Sequence, residues 1–316
     1  MRLLPGFEGF CIMARMLYRS IVIISLVGLL SGVARGQELT PRAYWPAPLG
    51  TRIASVGYSY TSGDTIPDRS LPLTGVNSSI NTLHLGYRHT VSLWGRTTNL
   101  VVELPYSDGR TTGSRDNGTG PKSEYQGAGD IAATISVNFM GAPTMSPKEF
   151  AEMRRNPRPL LAGSLKVVAP TGKYDSERLI NVGANRWAVR AELGYVAPLS
   201  PKWLLELGLG GWFFGDNDQF LGRTKKQDPI AAIQGHLIHR FDRGFWASLD
   251  MNYYKGGRST VGSFRLDDLQ RDSKVGVTIV YPLGGKHAVK LGYSLGSLND
   301  SGEKFEVFQI GYQRIL

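Results

Sequence analysis

The residues of this chain that could do chemistry are spread thinly and alternate with apolar ones. Arg186, Arg190 and Glu192 fall on every second or fourth position, with Trp187, Val189, Ala191 and Leu193 between and beside them. Ser248, Asp250 and Asn252 repeat the spacing among Ala247, Leu249 and Met251. Side chains two residues apart share one face of a strand. Such segments therefore carry a polar, charged face and an apolar one. Charges of both signs on one face suit ion pairing and solute contact better than covalent catalysis. A lipid hydrolase would need a His beside a Ser nucleophile, with a third group orienting the His. The five histidines are His84, His89, His236, His239 and His287, and none stands in an H-x-S-N-G-like context. His84 and His236 share the polar faces and the others lie near segment ends, so a polar-lining or interface role fits them better.

Other chemistry is weaker still. Asp216, Asn217 and Asp218 offer hard oxygen donors to a Ca²⁺, but the remaining ligand spacing is missing and a solvated loop tip is the better reading. The glycine-rich stretch 109–129 has no phosphate-loop pattern. Trp212, Phe213, Phe214 and Phe220 fit a greasy slide at a pore mouth, and fit an aromatic girdle at a membrane interface more readily. No catalytic residue, metal site or cofactor is expected.

The elements that must carry these residues are twelve short alternating segments: 51–60, 80–89, 98–106, 130–140, 160–169, 185–196, 203–214, 230–241, 245–254, 274–281, 287–296 and 305–316. The segment 160–169 is apolar on both faces, which leaves its register open. Even number, strand length and alternation predict an all-β fold, a transmembrane antiparallel up-and-down barrel. Its apolar face would meet lipid and its polar face a lumen. The lumen candidates are Arg88, Glu103, Asp130, Lys166, Arg186, Arg190, Glu192, Glu206, Arg240, Asp250, Lys274 and Lys290. Mixed signs at this density predict cross-barrel ion pairs that narrow a pore, and the small cationic excess predicts a weak anion preference.

The connections agree. Counted back from the C-terminus, which sits on the periplasmic side in bacterial barrels, the short connections fall on that side and nearly all the long ones outside. The exception is 141–158. There Ser146 and Pro147 supply an N-cap and a first helical residue, predicting a short periplasmic helix over 147–155. At the other end, Arg15 and Arg19 precede an apolar run at 21–30, and Ala34-Arg35-Gly36 resembles a cleavage site. Residues 1–36 read as a secretory signal that is removed. A periplasmic segment, 37–50, then leads into a barrel over 51–316. The single cysteine, Cys11, lies in the leader, so the mature chain has no disulfide, thiolate nucleophile or Cys-based metal site. The formal charge is +10 for the whole chain and +7 without the leader, which holds four Arg and one Glu. The charges are dispersed, which argues against nucleic acid and fits lipid headgroups or an anionic solute.

Two stretches carry a family resemblance. Residues 166–175 run from apolar positions into Pro170, Gly172 and Tyr174, and Asn181, Gly183, Asn185 and Trp187 follow in an N-x-G-x-N-x-W pattern. Near the end, 275–284 and 287–294 look like a penultimate hairpin. The sequence resembles the outer-membrane transporter-like family of the meta-pathway of phenol degradation. That resemblance implies an exported barrel and solute uptake, and supplies no catalytic residues. Gln309 and Gly311 also resemble the C-terminal sorting signal of outer-membrane barrels, with Leu316 where Phe is usual and Arg314 at an apolar position. The expected partners are outer-membrane lipids, the barrel insertion machinery and a small solute of unknown identity. The expected function is passive movement of small solutes, hydrophobic or aromatic ones included, across a bacterial outer membrane. A structural or surface-interaction barrel with a plugged lumen is the alternative, and an outer-membrane lipid hydrolase the third.

Overall fold

Strands that are apolar on one face and polar on the other satisfy every backbone group in a membrane only if they close into a ring. The computed structural model describes residues 39–66, 75–113, 122–296 and 304–316. The expected leader, 1–36, lies outside the described residues. The strands are β1 (Arg52–Gly63), β2 (Val76–Leu93), β3 (Arg96–Gly113), β4 (Lys122–Ala128), β5 (Ala132–Met140), β6 (Leu160–Val168), β7 (Ala188–Pro198) and β8 (Trp203–Phe214). There follow β9 (Asn217–Phe220), β10 (Arg223–Gln227), β11 (Ile230–Arg240), β12 (Trp246–Gly256), β13 (Ser259–Val261), β14 (Phe264–Arg265), β15 (Gln270–Gly284), β16 (His287–Gly296) and β17 (Phe305–Ile315). Among the described residues one α-helix, α1 (Pro147–Arg155), lies between β5 and β6.

β4 and β5 both pair with β3 and together form one interrupted stave. The ring then has twelve antiparallel staves, each beside its neighbour in sequence. It closes where β1 meets β17, in register from Ile53 opposite Ile315 to Gly63 opposite Phe305. The outward face is a belt of exposed apolar side chains, among them Leu207, Leu209, Ile233, Leu249, Met251 and Val277. A water-soluble monomer does not carry an apolar band of that extent; the architecture is that of a transmembrane barrel. The inward face holds Ser59, Asn99, Glu192, Glu206, Asp250 and Thr278, all buried. β6 settles the open register: Leu161 and Leu165 are exposed outward, while Leu160 and Ala162 are buried inside.

The staves are longer than their apolar cores. β2 and β3 each run 18 residues, past the expected ends at residues 80 and 106. Thr, Ser and Asn in these extensions carry no hydropathy signal, yet they pair as well as Val or Leu. Similarly, β9, β10, β13 and β14 form a small separate sheet in connections expected to be loops. At the opposite end the turns are tight. β2 and β3 are joined by Trp94 and Gly95, both at positive φ (51° and 70°), the backbone that a two-residue hairpin requires.

α1 forms as expected. The Ser146 hydroxyl accepts from Glu149 N at 3.4 Å, and the Glu149 carboxylate accepts from Ser146 N at 2.8 Å. These contacts make a capping box. Hydrogen bonds from the Ser146 hydroxyl and amide hold the Glu149 carboxyl below its ordinary range. Met153 is buried against the barrel's inner wall, in one apolar cluster with Leu160, Val196, Leu204 and Ile238.

Candidate functional site

The staves enclose a cavity of about 2100 Å³. Its lining runs from Thr65, Ile66 and Leu269 at the long-loop end to Leu49, Lys286 and Leu316 at the short-turn end. It touches β1–β3, β5–β8, β11, β12 and β15–β17, while the wall around Glu206 is covered from within. Residues 39–50, expected as a segment on the periplasmic side of the barrel, lie inside it. Tyr44 and Trp45 are buried to 1% and 4% exposure. The Tyr44 hydroxyl donates to Glu192 and lies 3.3 Å from the Ser164 hydroxyl. Ala43 N donates to Glu206 Oε1 at 3.1 Å. The Arg42 guanidinium sits over the rings of Trp45 and Trp246, 5.2 and 5.1 Å from their centroids. Room for this segment comes from missing side chains: a Cβ at Gly194 would fall within the Tyr44 ring.

The charged candidates separate into two groups. Arg88, Glu103, Asp130, Lys166, Arg186, Arg190, Glu192, Lys274 and Lys290 line the cavity. Lys166 Nζ meets Glu103 Oε2 at 2.7 Å, and Arg190 pairs with Glu192. Glu206, Asp250 and Arg240 belong to the covered side. Asp250 accepts from Thr278 Oγ1 at 2.7 Å and lies 2.8 Å from His236 Nδ1. Arg240 donates to Pro201 O at 3.2 Å and to Arg154 O, joining the wall to α1. Among the described residues, eleven Lys and Arg line the cavity against seven Asp and Glu.

Asp130 departs from its expected place on a stave. It precedes β5, and its carboxylate accepts from Gly172 N and Ala184 N, each at 2.8 Å. Those bonds fold the connection after β6 back on itself. Gly172 and Gly183 touch there, and a Cβ on either would stand 2.8 Å from the other's backbone. Asn181 accepts from Asp175 N at 2.8 Å and donates to Asp175 O and Arg178 O at 3.0 and 2.9 Å. Asn217 donates to the Tyr174 hydroxyl at 3.0 Å and to Ala184 O at 3.1 Å, and Asn185 donates to Asn217 at 3.0 Å. Pro170 lies just past the end of β6, and Trp187 faces outward, 56% exposed. Ile180 and Val182, held by this fold-back, pack on Ile66, Val76, Ile80 and Tyr125 at the long-loop end. Gly172, Tyr174, Asn181, Gly183 and Asn185 thus pin the connection after β6 at the long-loop end.

Among the described residues, several alternative chemistries find no assembled site. Asn217 is buried in the fold-back, Asp216 pairs with Lys226 at 3.0 Å, and Asp218 accepts from Thr224 at 3.2 Å. Ser59 Oγ and His84 Nε2 meet at 2.9 Å, but on the lumen wall rather than the lipid-facing surface a lipid hydrolase needs. The aromatic quartet also splits. Trp212 and Phe214 face in, Phe213 faces out, and Phe220 is buried beside Lys225. The inner segment was the part sequence reasoning missed. Its signal was Tyr44-Trp45-Pro46, two adjacent aromatics outside any alternating pattern.

The family described as the MetA-pathway of phenol degradation matches residues 59–307. The chain belongs to that family. The family match takes in the fold-back motif and the first half of the barrel alike. Among solved structures, an outer-membrane channel of Pseudomonas putida F1 aligns at a TM-score of 0.70 with 21% identity, covering 88% of this chain and 100% of that one. The β domain of the Bordetella autotransporter BrkA aligns at 0.49 with 13% identity, over 84% and 100% of the two chains. The Pseudomonas putida toluene transporter TodX aligns at 0.41 with 11% identity, over 89% and 94%. The last two resemble this family member only loosely. No curated protein matches the chain.

Proposed function

We propose that the protein is an outer-membrane channel for passive movement of small solutes, with a weak preference for anions. The observation that carries this reading is the cavity lined from one end of the barrel to the other, inside a ring whose outer face is apolar. The cationic excess of its lining supports the anion preference. Hydrophobic or aromatic solutes fit the inward rings of Trp212 and Phe214. In this reading residues 1–36 are a cleaved signal, residues 51–316 form the barrel, and the C-terminal strand is recognised by the barrel insertion machinery. The short-turn end, with α1, faces the periplasm.

One observation favours a second reading, a plugged barrel: the inner segment 39–50 fills one side of the lumen. Planar-bilayer recording decides between them. A steady chloride current with reversal potentials favouring anions supports the channel. Silence across a range of voltages supports the plug.

A further inference from the structure

The long-loop half of the lumen carries an apolar patch that a water-filled passage does not need. Trp212, Phe214, Ile230 and Tyr254 project inward from β8, β11 and β12, and all four line the cavity. The register makes them contiguous. Trp212 is opposite Ile230, and Ala232 is opposite Tyr254. Ile230, Ala232 and Tyr254 pack together with Trp212 and Phe214 against them. The Trp212 and Phe214 rings are nearly parallel, 8° apart with centroids separated by 6.3 Å. On the lipid face such rings would be ordinary. Lining a cavity among charged groups, they favour an occupant with apolar surface of its own, because burying that surface is favourable.

The rim of the patch is cationic. Arg190 lies directly opposite Trp212, and Ala188 opposite Phe214. The Arg186 guanidinium stands 4.5 Å from the Phe214 ring centroid. On the far side, Lys274 is buried opposite Asn252. Two donors where patch and rim meet lack acceptors among the described residues: Trp212 Nε1 and Arg190 Nε are buried and make no hydrogen bond. Both can only donate. The nearby Glu192 carboxylate is already engaged by Arg190, Tyr44 and Gln234. A buried donor left unpaired is costly, so an acceptor arriving with a ligand would be favoured there.

We infer that this patch is a binding subsite for an aromatic carboxylate. The ring lies on Trp212 and Phe214, above the small Ala188. The carboxylate lies between Arg190 and the indole N–H of Trp212. A neutral aromatic alcohol offers one uncharged acceptor in place of an anionic pair of oxygens, and a short aliphatic anion leaves the rings uncovered. The inference deepens the channel reading, which supplies the route by which such a ligand arrives, while binding itself can be read without transport.

The experiment is titration calorimetry on the full-length chain in detergent, with benzoate, acetate and benzyl alcohol as probes, beside the chloride recording. Benzoate is expected to bind saturably and about tenfold or more tighter than either other probe, a factor of ten being about 1.4 kcal/mol. Trp212→Leu should weaken benzoate about tenfold, Trp212→Phe should retain most of it, and Arg190→Gln should bring benzoate down to the level of benzyl alcohol. Equal binding of benzoate and acetate, or unchanged benzoate affinity in Trp212→Leu, overturns the subsite. If Arg190→Gln fails to fold, the Trp212 pair alone decides. Benzoate binding without chloride current keeps the subsite and sinks the channel. Chloride current without discrimination among the probes does the reverse.

Discussion

At the scale of single residues, position on the pleat decides what a substitution does. Leu207 faces lipid at 43% exposure, whereas Ala188 lines the cavity. Leu207→Arg near the bilayer midplane should therefore cost about 2–4 kcal/mol of folding free energy. Ala188→Arg adds a charge among charges and should fold with a smaller penalty while changing conductance. Urea titration in lipid vesicles reads both, and a normal Leu207→Arg beside a failed Ala188→Arg would reverse the register. Glycine at 194 matters for a different reason, since it leaves the hollow that the Tyr44 ring fills. Gly194→Val should evict Tyr44 and raise conductance without abolishing the barrel, and an unchanged current would mean that Tyr44 does not restrict the passage. Inward and outward residues were legible in the sequence because alternation is a local property. Which charge meets which was not: Tyr44 and Glu192 are 148 positions apart, and only ring closure brings them together.

At the scale of elements, the inner segment and α1 act on the same end of the lumen. Trp45, Met145, Met153 and Trp246 share one apolar cluster, so the segment is anchored by burial as well as by Glu192 and Glu206. Deleting residues 40–47 should enlarge the single-channel conductance, and it leaves the stave pairing untouched. A deletion variant with wild-type conductance would confine the restriction to the long-loop end. The helix was readable because Ser146, Pro147 and Glu149 are a purely local signal. The segment was not, because Pro46 and Pro48 interrupt any periodicity and its partners lie on staves far along the chain. Nor were β9, β10, β13 and β14 readable. Arg223–Gln227 is polar throughout, and the small sheet follows from pairing between two neighbouring connections.

At the scale of the whole molecule, a ring without edges resists detergent until it is boiled. The purified protein should migrate differently on a gel before and after heating, and identical migration would tell against closure. Orientation has its own test. Gly222 lies in the β9–β10 turn with open space around it, and Lys148 lies on the exposed first turn of α1. An epitope inserted at Gly222 should be reachable on intact cells and one at Lys148 should not; the opposite result would turn the barrel over. Stave count, and the gathering of the long connections at one end, were legible in the sequence because they depend on the number of alternating segments and on connection length.

The β1–β17 pairing joins the first stave to the last, eleven partners long, between residues 242 positions apart (Gly63 opposite Phe305) and 262 apart (Ile53 opposite Ile315). Contacts so distant in sequence form late, since the whole chain must be in place before they compensate for loop closure. The segment before β1 is continuous with one of the two staves that make this seam. A closed seam works like a hooped cask: once the final stave is seated, residues 39–50 have no lateral way in or out, and any traffic of that segment runs along the barrel axis through the open ends.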